Sequence, residues 1–148
     1  MVVFGFIFFV ARGCVATQQS TQVRKYVTSA DSFLSDSANA GRGELQRILS
    51  NAGGNPARLD DEALAQAANR TEQQYLQALR QEEIPPEFED AHHYVVTALG
   101  IRSQATDKLV QAAAGDASRF AGEHATAVED YRMSDSIVAN YYIPAVKH

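Results

Sequence analysis

From Val2 to Ala11 the chain is apolar almost without a break, and beyond Ser20 its apolar residues recur every three or four positions. The first pattern suits a segment withdrawn from water, the second a succession of amphipathic helices. Beyond the leader no stretch between turn signals is rich in β-branched and aromatic residues, so no strand is expected. A first helix is predicted over roughly 20–51, with Tyr26, Ala30, Leu34, Ser37, Gly41, Leu45 and Ile48 on one stripe. Gly41 and Gly43 each cost about 1 kcal/mol against Ala inside a helix, which marks a kink or a close approach. Ser37, one turn before Gly41 on the same face, favours the close approach of another backbone. Gly53-Gly54-Asn55-Pro56 ends this helix, by glycine's conformational freedom and by a proline that cannot continue it.

The second helix opens on Asp60-Asp61-Glu62, acids suited to the positive end of the helix dipole. Its inward line is Leu64, Ala67, Ala68, Thr71, Tyr75 and Leu79, and it stops before Pro85. The third takes Pro86 at its first position, where the missing N–H loses nothing. Its line runs through Phe88, Ala91 or His92, Val95, Ala98 or Leu99, Arg102, Ala105, Leu109 and Ala112. Gly115-Asp116 turns the chain, and the fourth helix carries Phe120, Ala127 or Val128, Tyr131, Ser134 or Asp135, Val138 and Tyr141 towards Pro144. Amphipathic helices joined by connections of a few residues predict an all-α fold. The expected architecture is an antiparallel up-down-up-down four-helix bundle over 17–148, preceded by an apolar N-terminal membrane segment, 1–16.

That leader holds Phe4, Phe6, Phe8 and Phe9, more than half of the seven Phe in the chain. As a helix its ten apolar residues reach only about 15 Å, half of a hydrocarbon core of about 30 Å. A transmembrane anchor lacking its inner half is one reading. A secretory signal is a second, against which stands the absence of a basic residue before the apolar run. A lipoprotein signal is a third: Cys14 follows Gly13 at the end of the run, which makes Cys14 the lipidation candidate, although Ala11 and Arg12 fit the usual pattern poorly. The start of a buried helix is the fourth. The first three place the following domain outside the cytoplasm, and the anchor and the lipid form hold it at a cell membrane.

Composition narrows the function by exclusion. A single Cys forms no internal disulfide and none of the paired-Cys zinc spacings. A net charge of −5, with the basic residues scattered among the acids, argues against nucleic acid as a partner. Gly-x-Ser-x-Gly is absent, and no phosphate loop follows a strand. Glu89-x-x-His92 has the spacing of a ferritin-like di-iron ligand pair, which needs a second such pair at the same height. The only counterpart is Glu123-His124, whose adjacent side chains point to different sides. No metal, cofactor or catalytic residue is therefore expected, and His92 is read as a surface or capping residue with His93 on a neighbouring face. The Asn69-Arg70-Thr71 sequon falls inside a helix and reads as chance. Tyr141-Tyr142 reads as buried packing, with a contact surface as the alternative.

Arg102 and Asp135 both fall where their helices should bury apolar residues. A buried Arg needs a carboxylate, because an isolated buried charge costs several kcal/mol, so Arg102 with Asp135 is the expected buried polar lock. Counting back from the Gly115 turn sets Arg102 nearer Glu129 and Tyr131, and reaching Asp135 would need some slip of register. A guanidinium snorkelling past a rim of alanines into water is the alternative.

The leader, the Tyr26-to-Leu49 helix with Ser37 and Gly41, the Pro85-Pro86 start followed by His92 and Arg102, and the ending with Ser134, Asp135, Tyr141 and Pro144 resemble uncharacterised membrane-anchored helical-bundle proteins of actinobacteria. The resemblance covers nearly the whole chain after the leader. It implies a place outside the cytoplasmic membrane, and further sequence after the fourth helix, and carries no activity. The expected function is a non-enzymatic, membrane-tethered structural or protein-interaction module of the cell envelope. The alternative is an extracytoplasmic sensor or small-ligand-binding bundle, which a pocket lined by Arg102, Tyr131 and Asp135, or a second membrane helix beyond His148, would favour.

Overall fold

In the computed structural model the chain is all-helical, with no strand among the described residues. The structure describes the backbone of residues 3–53 and 55–147, and the side chains of 20–41, 43–53 and 55–147. The leader's apolar side chains and Cys14 lie outside the described residues. Among the described residues, no helix is long and apolar enough to cross a membrane.

Helix α1 runs over 3–52 as one continuous rod, α-helical at Val3–Ala38, π-helical at Asn39–Leu45 and α-helical again at Gln46–Ala52. It therefore starts well before the expected boundary near 20, because nothing between the leader and Tyr26 breaks a helix. Gly53 ends it with φ of 58°, the left-handed conformation that favours glycine. Helix α2 is Asp61–Leu79, capped by the Asp60 carboxylate accepting from the Ala63 N–H at 3.0 Å. Helix α3 is Glu89–Ala113, entered through a short 3-10 turn at Pro86–Phe88. Helix α4 spans 117–146, starting at Ala117 under an Asp116 cap and turning π-helical at Val138–Tyr142 before Ile143–Val146.

Specific pairs give the directions. Arg70 of α2 meets Glu44 of α1, and Tyr75 of α2 lies against Gly100 of α3. Arg102 and Lys108 of α3 meet Asp135 and Asp130 of α4, so those neighbours run oppositely. Tyr26 stacks on Phe88 while Leu34 meets Arg102, so α1 and α3 run the same way.

Two apolar clusters fill the interior. One gathers Tyr26, Ala30, Leu34, Phe88, Val95, Leu99 and Tyr142, the other Leu45, Ile48, Leu64, Leu109, Phe120 and Ala127. Between them lie the buried polar side chains Ser37, Arg102, Thr106 and Ser134.

The buried residues of α3 follow the predicted line closely, Ala127 rather than Val128 takes the shared position on α4, and two large side chains depart from their lines. Leu79 is exposed, and Ala78 is the buried residue at the end of α2. Val128 is exposed, leaving Ala127 to face the core. Tyr141 is exposed and Tyr142 fully buried, because the π turn at 138–142 adds residues to the turn and carries the inward position on by one. Tyr141 instead stacks on Tyr94, ring centroids 5.0 Å apart.

Candidate functional site

The α1 π segment, α3 and α4 converge on a polar layer. Arg102 is 3% exposed and donates from Nη2 to Asp135 Oδ1 at 2.9 Å and from Nη1 to the Leu34 carbonyl at 3.0 Å. Asp135 remains 29% exposed, so the pair is not sealed: a buried guanidinium meets a carboxylate at the margin of the core. The fully buried neighbour is Ser134, whose hydroxyl donates to the Ala98 carbonyl at 2.9 Å. That contact is close to the simple hairpin register counted from Gly115. What carries Arg102 on to Asp135 is its length, since helical side chains lean towards the N-terminus of their own helix. A slip of the helices is not needed, which corrects that part of the sequence argument.

Tyr131 extends the layer. The Thr106 hydroxyl is 2.8 Å from the Arg102 carbonyl and donates to it, so the Tyr131 phenol, 2.9 Å away, donates to Thr106. Burial pushes the Tyr131 phenol up, against the smaller opposing influences of the Thr106 bond and the Arg102 charge. The ring crosses directly over Gly41: a Cβ there would overlap Cζ and the hydroxyl at 2.5 and 2.6 Å. The close approach expected at Gly41 is thus made by an aromatic ring rather than a backbone. Gly43 has nothing near its missing Cβ and needs no such explanation.

Beyond Gly41, α1 and α4 leave a groove of about 470 Å³ between them. Leu45 and Leu49 of α1, Leu109 of α3, and Ala127 and Val128 of α4 give it apolar walls. Tyr131, Asp135 and Arg132 stand at its polar end, with His124, Gln46 and Ser50 elsewhere on its border. Arg102 sits behind Asp135 and is not among the lining residues. The arrangement can hold an apolar body against leucine and valine while offering a carboxylate and a phenol to a polar head. Among the described residues no hydrogen bond joins the Ser50 hydroxyl to His124.

The remaining sequence-predicted residues lie apart from the groove. His92 is buried at 7% exposure, with its ring edge-on to Tyr26 at 5.8 Å, which corrects the surface or capping reading. Glu89 is exposed, and His124 stacks on Phe120 at 6.4 Å. Among the described residues no three His, Cys, Asp or Glu side chains gather as a metal-binding group. Asn69 is exposed on α2. Two features escaped sequence reasoning. The Tyr142 hydroxyl donates to Asp31 Oδ1 at 2.9 Å, joining the end of α4 to the middle of α1. The other is the pair of π segments, of which only the first carried a sequence signal, Gly41 and Gly43.

No protein-family model, curated protein or solved structure matches this chain. The functional reading therefore rests on the geometry.

Proposed function

We propose that this chain is a membrane-tethered, up-down-up-down four-helix bundle that binds a small amphipathic molecule in the groove between α1 and α4. The single observation that supports it is the groove itself: apolar walls, a polar end, and a size within the range of small-molecule sites. The molecule's apolar part lies along Leu45, Leu49 and Val128, and its polar part reaches Tyr131 and Asp135. In this reading residues 1–16 supply the tether, and the resemblance to membrane-anchored actinobacterial proteins favours a place outside the cytoplasm. The polar layer beside the groove gives binding a way to be felt through the molecule, because Tyr131 touches α1, α3 and the groove at once.

A protein-interaction module of the cell envelope is the second reading. It is favoured by Val128, Met133, Tyr141 and Ile143, large apolar side chains exposed along α4.

The test is saturable binding of anilinonaphthalene sulfonate to the folded chain. The ligand reading expects one class of site, abolished by Val128→Glu in the groove wall and unaffected by Met133→Glu outside it. Equal binding by both variants and the parent would sink it.

A further inference from the structure

We propose that the end of the molecule where α1 emerges from the leader is an acid-sensitive clasp, in which a proton on His92 separates Tyr26 from the start of α3. The clasp is a layer of rings. Tyr26 stacks on Phe88 with centroids 5.4 Å apart and a 13° interplanar angle, and meets the edge of His92. These rings hold α1 to α3 about ten residues after the leader.

The layer is built for a neutral imidazole. His92 Nδ1 is buried with no hydrogen-bond partner, and so is the Tyr26 hydroxyl. A neutral ring tolerates one bare acceptor nitrogen, but an imidazolium has N–H donors on both nitrogens, and the second finds no acceptor here. The groups around the ring offer little to a positive charge. Tyr26 faces it from α1 with a phenol that is itself pushed up to about 12, first by burial and then by Asp31, and so stays neutral. From α2 comes the Ala78 backbone, the one influence favouring the charged form, and from α3 itself His93, which opposes it. From α4, Tyr142 joins the apolar cluster of Tyr26 and Phe88 with its hydroxyl committed to Asp31, and Glu89, one turn before His92 on α3, is exposed to water. Burial is the largest influence on His92 and lowers its proton affinity.

The sign follows. A base whose folded pKa lies below its ordinary 6.5 takes up its proton more readily when the site is open, so the closed state loses ground as pH falls below about 6.5. The loss levels off below the folded value. The ring escapes by swinging outward, and Tyr26 loses one side of its packing. The Tyr142–Asp31 bond does not involve His92 and keeps α1 joined to α4, so the opening is confined to the α1–α3 contact. The inference rests on this ring layer and not on the groove.

The experiment is hydrogen exchange of the full chain in detergent micelles between pH 7.5 and 5, corrected for intrinsic exchange, with the His C2 protons followed by NMR. Segments 22–34 and 86–96 should exchange faster as pH falls, by about tenfold for each unit by which the folded pKa lies below the unfolded one, while 105–127 holds steady. His92→Phe should remove the response and His93→Gln should retain it. If His92→Phe does not fold, the parent still decides: the His92 titration should coincide with changes in the Tyr26 ring signals. A response that survives His92→Phe, or a His92 that titrates with exchange at 22–34 unchanged, would overturn the proposal.

Discussion

At Arg102 and Asp135 the two halves of an ion pair sit in unequal surroundings, and that inequality sets what each substitution should do. Replacing Asp135 by Ala strands a guanidinium that is almost fully buried, with an expected cost of about 3–5 kcal/mol. Replacing Arg102 by Met keeps most of the buried volume and leaves a carboxylate that water can reach, so the expected cost is only about 1 kcal/mol. Urea unfolding of both variants checks the order, and a larger loss for Arg102→Met would mean that the pair is misassigned. His92 makes the corresponding statement about pH: its share of stability is complete above about 6.5 and declines below it.

At the scale of the helix, the two glycines of the π segment should answer oppositely to the same change. Gly43→Ala meets nothing and gains helix propensity, for an expected stabilisation of about 0.5–1 kcal/mol. Gly41→Ala drives a methyl into the Tyr131 ring, which Thr106 holds in place, for an expected loss of about 1–3 kcal/mol. In a Tyr131→Ala background most of that loss should vanish, and thermal unfolding of the cycle measures the coupling. These elements also show what sequence carries and what it does not. Helix α3 was legible nearly residue by residue, because its apolar spacing is regular and it is packed on several sides. Arg102 stood out because a charge on such a line demands a partner. The end of α4 was not legible: a π turn shifts the inward position from Tyr141 to Tyr142, and periodicity assumes a constant 3.6 residues per turn. His92 stood on the inward line by spacing, yet Glu89-x-x-His92 drew it into a surface or capping reading, whereas it packs against Tyr26, distant in sequence. The groove was invisible in outline, since it arises where α1 and α4 fail to close; of the pocket residues named from sequence, Tyr131 and Asp135 line it and Arg102 does not.

For the whole molecule, the clusters on either side of the polar layer already gather residues from 23 to 146 of all four helices among the described residues. Deleting residues 1–16 should leave a helical, cooperatively unfolding domain that no longer partitions into detergent, checked by circular dichroism and phase separation. A chain that unfolds on this deletion would show the leader to be part of the core.

The central claim is that the α1–α4 groove is where this molecule binds, and methyl NMR during titration with anilinonaphthalene sulfonate tests it most directly. The account predicts saturating shifts confined to Leu45, Leu49, Leu109, Ala127 and Val128, with Leu64, Val95 and Leu99 unmoved. Shifts centred on Met133 and Ile143 with the groove methyls silent would contradict it.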